Sequence, residues 1–354
     1  MRVLLTGASG FIGTAVDAEL VAAGHEVVRV DALIPQAHPV DAVPEAVGGE
    51  RVHRLDVRDA DRDDTWRDLL GGIDAVCHQA AMVGAGVTPA DLPLYAGHND
   101  LGTAALLAAM AATDIRLLVL ASSMVVYGEG RYRCEEHGEQ APGPRPRADL
   151  EAGRFECPCP VCGRALGWAL VPEEAAFDPR SSYAASKVAQ EHYASAWARQ
   201  ADSAVVALRY HNVYGPHMPR DTPYSGVAAI FRSQVEAGRA PQVFEDGGQM
   251  RDFVHVGDVA RANLAALEAV AGDPAGAMRA YNVCSGSPVD IATVAGHVAR
   301  GTGSSAAPEV TGEFRIGDVR HVVASPERAA AELGFRAQVT PAEGLVEFAT
   351  APLR

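Results

Sequence analysis

Several residues in this chain have types and spacings that could do chemistry. Tyr183 and Lys187 stand four apart in Tyr183-Ala184-Ala185-Ser186-Lys187, which puts them on one face of a helix. A free tyrosine titrates at about 10, too high for a base at neutral pH. A neighbouring ammonium and the positive ring of a nicotinamide would stabilise the phenolate. The pair then suits general acid–base work on a sugar or alcohol hydroxyl. The same spacing alone also fits a solvated helix face. Ser122-Ser123 closes an apolar run ahead of Val126-Tyr127-Gly128. A serine hydroxyl there could hydrogen-bond the reacting oxygen, or simply cap the strand end.

Gly7-Ala8-Ser9-Gly10-Phe11-Ile12-Gly13 lies between an apolar run and a helical pattern. Glycines there permit a tight turn and close approach of backbone to a pyrophosphate, and the helix N-terminus offers free N–H groups. The spacing is G-x-x-G-x-x-G, and the ordinary alternative is a plain strand-to-helix turn. Asp31, at the end of the second apolar run, favours the dinucleotide reading. A carboxylate there accepts a ribose 2′-hydroxyl and repels a 2′-phosphate, so NAD is expected over NADP. Asp56 could reach the adenine or cap its strand.

A third set is Cys134-Glu135-Glu136-His137 followed by Cys157-Pro158-Cys159-Pro160-Val161-Cys162-Gly163. Thiolates and an imidazole in two close pairs can close a tetrahedron around Zn2+. The expected ligands are Cys134, His137, Cys159 and Cys162, with Cys157 a substitute for His137. Four protein ligands leave no open position, so the zinc would be structural. Reduced thiols in an irregular loop are the alternative. Cys77 and Cys284 sit near apolar runs and are expected in the core.

These groups need elements to hold them. Arg2–Thr6, Glu26–Val30, Arg51–Asp56, Ala75–His78, Arg116–Ser122 and Ala204–Arg209 read as strands. Phe11–Ala23, Leu101–Ala112 and Tyr183–Gln200 read as helices between them. Short apolar strands alternating with helices predict a parallel sheet covered on both faces. The expected fold is α/β, a Rossmann-type doubly wound parallel sheet. Residues 1–210, returning at about 250–272, would form the NAD-binding domain. A cysteine-rich, zinc-knuckle-like insert would span about 129–177, read as a long loop that needs a staple. Residues 211–249 and 273–354 would form a smaller substrate domain. Helices are expected around Val227–Ala237 and from Asp258, with a strand near Phe253–Val256.

Composition narrows the partners. The chain has 354 residues, with 30 Lys and Arg against 45 Asp and Glu, a formal charge of −15. That balance argues against nucleic acid as a bulk partner. No run approaches the roughly 20 apolar residues of a membrane span. The first apolar run is too short for a signal peptide, so a cytoplasmic location and reduced cysteines are expected.

Taken together the motifs resemble the extended short-chain dehydrogenase/reductase family, and within it the nucleotide-sugar epimerases and dehydratases. The resemblance covers nearly the whole chain. It rests on the glycine loop, Ser122-Ser123-Met124-Val125-Val126-Tyr127-Gly128, Tyr183-x-x-x-Lys187, Arg209-Tyr210-His211-Asn212-Val213-Tyr214-Gly215-Pro216 and Arg251-Asp252-Phe253-Val254-His255-Val256, in family order. It implies Ser123, Tyr183 and Lys187 as catalytic residues. It implies cofactor contacts from Gly7, Gly10, Phe11, Ile12, Gly13, Asp31, Asp56, Val57, Ala80, Ala81, Tyr183 and Lys187. It implies Ser123, Met124 and Asn212 at the substrate, with Arg251 and Arg315 on its diphosphate. A homodimer through paired helices, with Leu101–Ala112 and Tyr183–Gln200 as candidates, is also implied.

The family's 4,6-dehydratases carry an Asp-Glu pair just after the catalytic Ser or Thr. Here those positions are Met124 and Val125, which transfer no proton. The remaining apparatus resembles that of a 4-epimerase, which oxidises C4 and returns hydride to the opposite face. A 4-ketoreductase or a decarboxylase of the family is the enzymatic alternative. A dinucleotide-sensing scaffold is the non-enzymatic one. The insert, with Ser122-Ser123-Met124-Val125-Val126-Tyr127-Gly128-Glu129-Gly130 ahead of it and Arg315–His321 later, most resembles the dTDP-L-rhamnose 4-epimerases, which interconvert dTDP-L-rhamnose and dTDP-6-deoxy-L-talose. UDP-glucose/UDP-galactose 4-epimerases share every catalytic feature quoted. Base-reading residues are expected around Ser225–Ala228 and Gln242–Glu245. The insert is expected to shape or cover the sugar pocket.

Overall fold

The computed structural model describes residues 1–35, 38, 51–84, 88–220, 226–304 and 307–354. Ser225, at one end of an expected base-reading stretch, lies outside the described residues. The chain begins with β1 (Arg2–Thr6), α1 (Phe11–Ala22), β2 (Glu26–Asp31), β3 (Val52–Arg54), α2 (Asp64–Leu70), β4 (Ala75–His78), α3 (Leu92–Tyr95), α4 (Gly102–Ala112) and β5 (Leu117–Ser123). The cysteine-rich stretch contributes β6 (Arg131–Cys134), β7 (Gly138–Gln140), α5 (Arg147–Glu151) and β8 (Gly167–Ala169). Next come α6 (Ser182–Gln200), β9 (Ala204–Tyr210), β10 (Asn212–Tyr214), α7 (Val227–Glu236), β11 (Gln242–Val243), β12 (Met250–Arg251), β13 (Phe253–His255), α8 (Val256–Val270) and β14 (Met278–Val283). The last elements are β15 (Val289–Asp290), α9 (Ile291–Gly301), β16 (Glu309–Val310), α10 (Glu327–Glu332) and α11 (Pro341–Phe348).

The main sheet has the order β14-β9-β5-β4-β1-β2-β3, and every pairing in it is parallel. Side chains alternate between its faces. Val3 and Leu5 of β1 pack with Val16 and Leu20 of α1 and with Val259, Leu267 and Val270 of α8. Leu4 faces the other way, toward Trp66 of α2, Leu106 and Met110 of α4, and Trp197 of α6. Both faces are covered, which is why the strands read as nearly unbroken apolar runs.

A smaller core gathers Tyr214, Phe231, Val243, Phe253, Val294, Val298, Leu345 and Phe348. It lies under α7, α9 and α11. One boundary is corrected. Residues 278–283, expected in the smaller domain, instead form β14, which pairs with β9 from Met278↔Val205 to Val283↔Tyr210. The α8 crossover returns the chain to the sheet, as a parallel connection requires.

The insert is likewise more ordered than a loop. β7-β6-β8 form a small antiparallel sheet. Tyr132, Cys134, Cys157, Cys159 and Leu166 form its own core. Among the described residues, no helix is long and apolar enough to cross a membrane.

A buried ion pair ties β5, β9, α6 and the insert together. Arg209 donates to Glu191 at 2.9 and 2.7 Å, to the Tyr127 hydroxyl at 2.8 Å and to the Glu173 carbonyl at 2.8 Å. Ser122 donates to the same Glu191 carboxylate at 2.5 Å. Removing one partner strands a buried charge, so Arg209→Met is expected to lose roughly 3 kcal/mol of stability. Urea unfolding of the variant beside wild type measures it; a loss below about 1 kcal/mol contradicts this account.

Candidate active site at the carboxyl edge of the sheet

The glycine loop joins β1 to α1 where the strand order reverses between β1 and β4, the usual place for a ligand crevice. Gly7 has φ +69°, and a Cβ on it would stand 2.8 Å from the Ala80 amide nitrogen. A Cβ on Gly13 would stand 1.9 Å from the Gly7 carbonyl oxygen. The loop therefore fits against the end of β4 and the base of α1 only as glycine. Gly10 is the N-cap of α1 and supplies no side-chain cap. The first N–H groups of that helix stay available to an anion. Phe11 packs toward the smaller core and Ile12 toward the sheet core, both half-buried.

Asp31 ends β2 with its carboxylate accepting from Ser9 N at 3.0 Å and Leu33 N at 2.8 Å. These bonds aim it at the loop and leave lone pairs for a ribose hydroxyl. The Arg354 guanidinium reaches the same loop and donates to the Ser9 carbonyl, a contact that no local motif announces. Ala80 donates its amide to Thr6 Oγ1 at 3.2 Å, and half-buried Ala81 follows it. Asp56 takes the capping role: it accepts from Arg58 N at 2.9 Å and pairs with that guanidinium at 2.7 Å. Val57 is buried against Gly102 of α4. The cradle fits NAD, with Asp31 where a 2′-phosphate would be repelled.

The catalytic candidates converge. Ser123 ends β5, and its hydroxyl lies beside the Tyr183 phenol near the start of α6. Ser181 caps α6 by accepting from Ala184 N, which fixes the first turn. Lys187, 3% exposed, donates to the Ala121 carbonyl at 2.8 Å, with its Nζ 5.8 Å from the Tyr183 ring centre. Burial pushes the Tyr183 phenol up to about 12, opposed by the Ser123 hydrogen bond. Burial also pulls the Lys187 ammonium down to about 7, opposed by the Glu191 carboxylate. A bound positive nicotinamide would favour the phenolate.

Asn99, in a π-helical turn (Ala96–Leu101) ahead of α4, was not anticipated. Fully buried, it exchanges hydrogen bonds with the Met82 backbone and donates to Ser186 Oγ at 2.8 Å. It holds α6 one residue from Lys187.

On the substrate side, Met124 opens the turn after Ser123 and packs beside Val126, Tyr127 and Val171. Among the described residues, the Asn212 Oδ1 and both ring nitrogens of buried His211 have no hydrogen-bond partner. His211 lies inside the Arg209–Pro216 motif, where its residue type alone carries no signal of function. Arg251 donates to the Val319 carbonyl at 2.7 Å and the Arg320 carbonyl at 2.8 Å. Arg315 stacks 5.1 Å from the Phe244 ring centre, within an expected base-reading stretch. Both arginines therefore meet at the 315–320 segment.

The model of the NAD dependent epimerase/dehydratase family matches residues 3–148 and 167–284. The chain belongs to that family. It is 33% identical over 356 residues to a dTDP-L-rhamnose 4-epimerase of Burkholderia thailandensis, covering 99% of this chain and 94% of that protein. It is 30% identical over 351 residues to a UDP-glucose 4-epimerase of Mycolicibacterium smegmatis, covering 98% and 97%. The crystal structure of a Thermus thermophilus UDP-glucose 4-epimerase in complex with NAD superposes with TM-score 0.74 at 31% identity, covering 99% and 98%. The chain is thus an enzyme of the extended short-chain dehydrogenase/reductase type, with sugar-nucleotide 4-epimerases among its relatives.

The family match omits residues 149–166, where Cys157, Cys159 and Cys162 lie. In this family member the insert brings four donors together. Cys134 Sγ is 3.4 Å from His137 Nδ1 and 3.8 Å from Cys162 Sγ; Cys159 Sγ is 3.9 Å from His137 Nδ1. All four ligand atoms lie within 4.8 Å of one another. Metal bonds of about 2.3 Å to sulfur and about 2.0 Å to nitrogen give tetrahedral edges of roughly 3.5–3.8 Å, so the set fits Zn2+. Cys157 stands outside it and meets Tyr132. Among the cysteines, Cys77 and Cys284 are buried and all six are free.

An unfolded lysine titrates at about 10.4. In the folded enzyme Lys187 titrates at about 7, so between these values the unfolded chain holds the extra proton and rising pH stabilises the fold. Lys187→Met should unfold at a higher temperature than wild type at pH 6.5. The gap should narrow steadily toward pH 9.5. A constant gap across that range would show that Lys187 is not strained by burial.

Proposed function

We propose that this enzyme is an NAD-dependent nucleotide-sugar 4-epimerase. The observation that carries the reading is Ser123, Tyr183 and Lys187 meeting at the carboxyl edge of the sheet, beside a glycine loop shaped for a dinucleotide. NAD, when bound, would supply a reversible hydride acceptor. Tyr183, as phenolate, takes the proton from the sugar 4-hydroxyl while C4 gives up its hydrogen with the electron pair. The C4–O bond becomes a carbonyl. Ser123 holds that oxygen, and Lys187 keeps the phenolate charge tolerable in a buried site. After the 4-keto sugar turns over, hydride returns to the other face and the Tyr183 phenol restores the proton. No net oxidation results. Met124 and Val125 supply no acid–base pair for dehydration.

The substrate we infer is dTDP-L-rhamnose, interconverted with dTDP-6-deoxy-L-talose. Support comes from the 33% identical relative and from the insert. The 30% identical UDP-glucose 4-epimerase keeps UDP-glucose/UDP-galactose as the second reading. Asn212 and His211 would face the sugar nucleotide, Arg251 and Arg315 its diphosphate, and Asp56 would stand near the adenine. Cys134, His137, Cys159 and Cys162 would hold a structural Zn2+. A homodimer is inferred from Leu92, Leu94, Leu101 and Tyr193, which are 41–52% exposed on the α3–α4 and α6 elements. Sedimentation equilibrium giving a monomer at micromolar concentration would remove that inference.

The purified enzyme is expected to convert dTDP-L-rhamnose, followed by NMR at the C4 proton, without net NADH. UDP-galactose and UDP-glucose run beside it. Conversion of the UDP sugars alone would replace the dTDP reading. NADH-dependent reduction of a 4-keto sugar, with no epimerisation, would make the enzyme a reductase. Tyr183→Phe should lower turnover by about 100-fold or more, the range for a lost general base.

A further inference from the structure

Outside the catalytic group, a network of buried polar contacts joins the cysteine-rich insert to residues 318–321. On β6, the Tyr132 side chain is 1% exposed and lies in one small core with Cys134, Cys157 and Cys159. Its hydroxyl donates to Glu129 at 3.0 Å and accepts from the His321 amide at 2.9 Å. The same Glu129 oxygen accepts from the Arg320 amide at 2.8 Å. Two consecutive amides are thus held by the insert. The side chains are held too. Arg320 donates to Glu156, beside Cys157, at 2.6 Å, and to Glu245 and Asp246 at 2.8 Å each. His321 accepts from the Met250 amide on Nδ1 at 3.0 Å, so its Nε2 carries the proton and donates to Glu156 at 2.8 Å. Arg145, also from the insert, donates to Glu245 at 2.7 Å and to the Asp318 carbonyl at 2.8 Å.

The other side of that segment is the Arg251 guanidinium, which donates to the carbonyls of Val319 and Arg320. A continuous path therefore runs from the four-ligand set through β6 and Tyr132 to the backbone of 319–321 and on to Arg251. We propose that the insert is a metal-fixed clamp on the diphosphate arm of the substrate site. Zn2+ on Cys134, His137, Cys159 and Cys162 pins β6, and Tyr132 and Glu129 on and before it set the segment that orients Arg251 and carries Arg315. Tyr132 is a positioning residue; it touches no reacting atom. The inference rests on the nucleotide-sugar reading above.

The clamp makes a selective demand. Among the described residues, none of its hydrogen bonds or ion pairs reaches the glycine loop, Asp31 or Ala80. Loss of the clamp should weaken nucleotide-diphosphate binding and spare NAD binding. A merely stabilising insert would lower the unfolding temperature and leave the ratio of the two affinities alone. A metal outside the active site that only held the chain together would behave the same way.

The test uses the full chain purified with Zn2+ present. Metal content is measured by atomic absorption, and binding of dTDP, UDP and NAD by titration calorimetry. Wild type and Tyr132→Phe should each hold about one Zn2+, and Cys162→Ser should hold none. Against wild type, Tyr132→Phe should bind the preferred diphosphate about fivefold more weakly and Cys162→Ser about tenfold or more, the range for stranding buried hydrogen-bonding groups. NAD affinity should stay within twofold in both (roughly 0.4 kcal/mol). In turnover, KM for the sugar nucleotide should rise more than kcat falls. A zinc-free wild type overturns the metal assignment. Unchanged diphosphate affinity in both variants, or equal losses for NAD and diphosphate, overturns the clamp. If wild type binds neither dTDP nor UDP, the nucleotide-sugar reading fails first and takes the clamp with it.

Discussion

Seven strands paired in parallel must all end at the same edge, and the rest of the site depends on that constraint. Gly7 follows β1, Asp31 closes β2, Ala80 follows β4, Ser123 closes β5 and Asn212 follows β9. Residues more than 100 positions apart in sequence become neighbours because each stands at a strand end. The helices that cover the sheet begin at this edge, so their unpaired N–H groups also face it. The edge is therefore polar and positively poised before any side chain is considered. The reversal of strand order between β1 and β4 opens the crevice in it.

Burial then sets the chemistry. Lys187 is buried and Tyr183 half-buried, which keeps the phenol neutral and makes the ammonium reluctant. His78 is held neutral nearby for the same reason, with the Lys187 charge adding to the effect. Buried groups with displaced titration are costly to fold around and useful to react with. The Glu191 carboxylate, itself balanced by Arg209, is the nearby anion that eases the Lys187 charge. Fold stability and acid–base tuning thus meet in one side chain.

The insert solves a different problem. Its own apolar core is five residues, too small to order a segment of this length alone. Cross-linking by a metal and a paired ionic network can supply what the core lacks. Every strongly buried charge in that network has a partner: Arg145 with Glu245, and Arg320 with Glu156, Glu245 and Asp246. Breaking one member would strand the others, so the insert and the 315–321 segment hold together as a unit.

The local signals were strong wherever chemistry coincided with backbone. The strand–glycine–helix junction, Tyr183 and Lys187 at helical spacing, and the paired Cys and His positions each follow from steric and valence rules acting over a few residues. They were legible without a structure, and α6 runs almost as read. The insert's three-stranded sheet was not legible, because its strands are short and its order comes from cross-strand pairing and the side chains within it. β14 was missed for a related reason: its place depends on a partner, β9, seventy residues earlier. Arg251 was expected on resemblance, but its orientation by the 319–320 carbonyls could not be. Tyr132 and Asn99 lie in no motif, and Glu129, Arg320 and His321 lie in segments that carry the resemblance, but the roles of all five exist only as hydrogen bonds that bring distant segments together. The amino-acid order determined which residues could react and which elements they would form. Tertiary packing alone decided what each buried polar group would face, because that depends on which distant segment fills the space beside it.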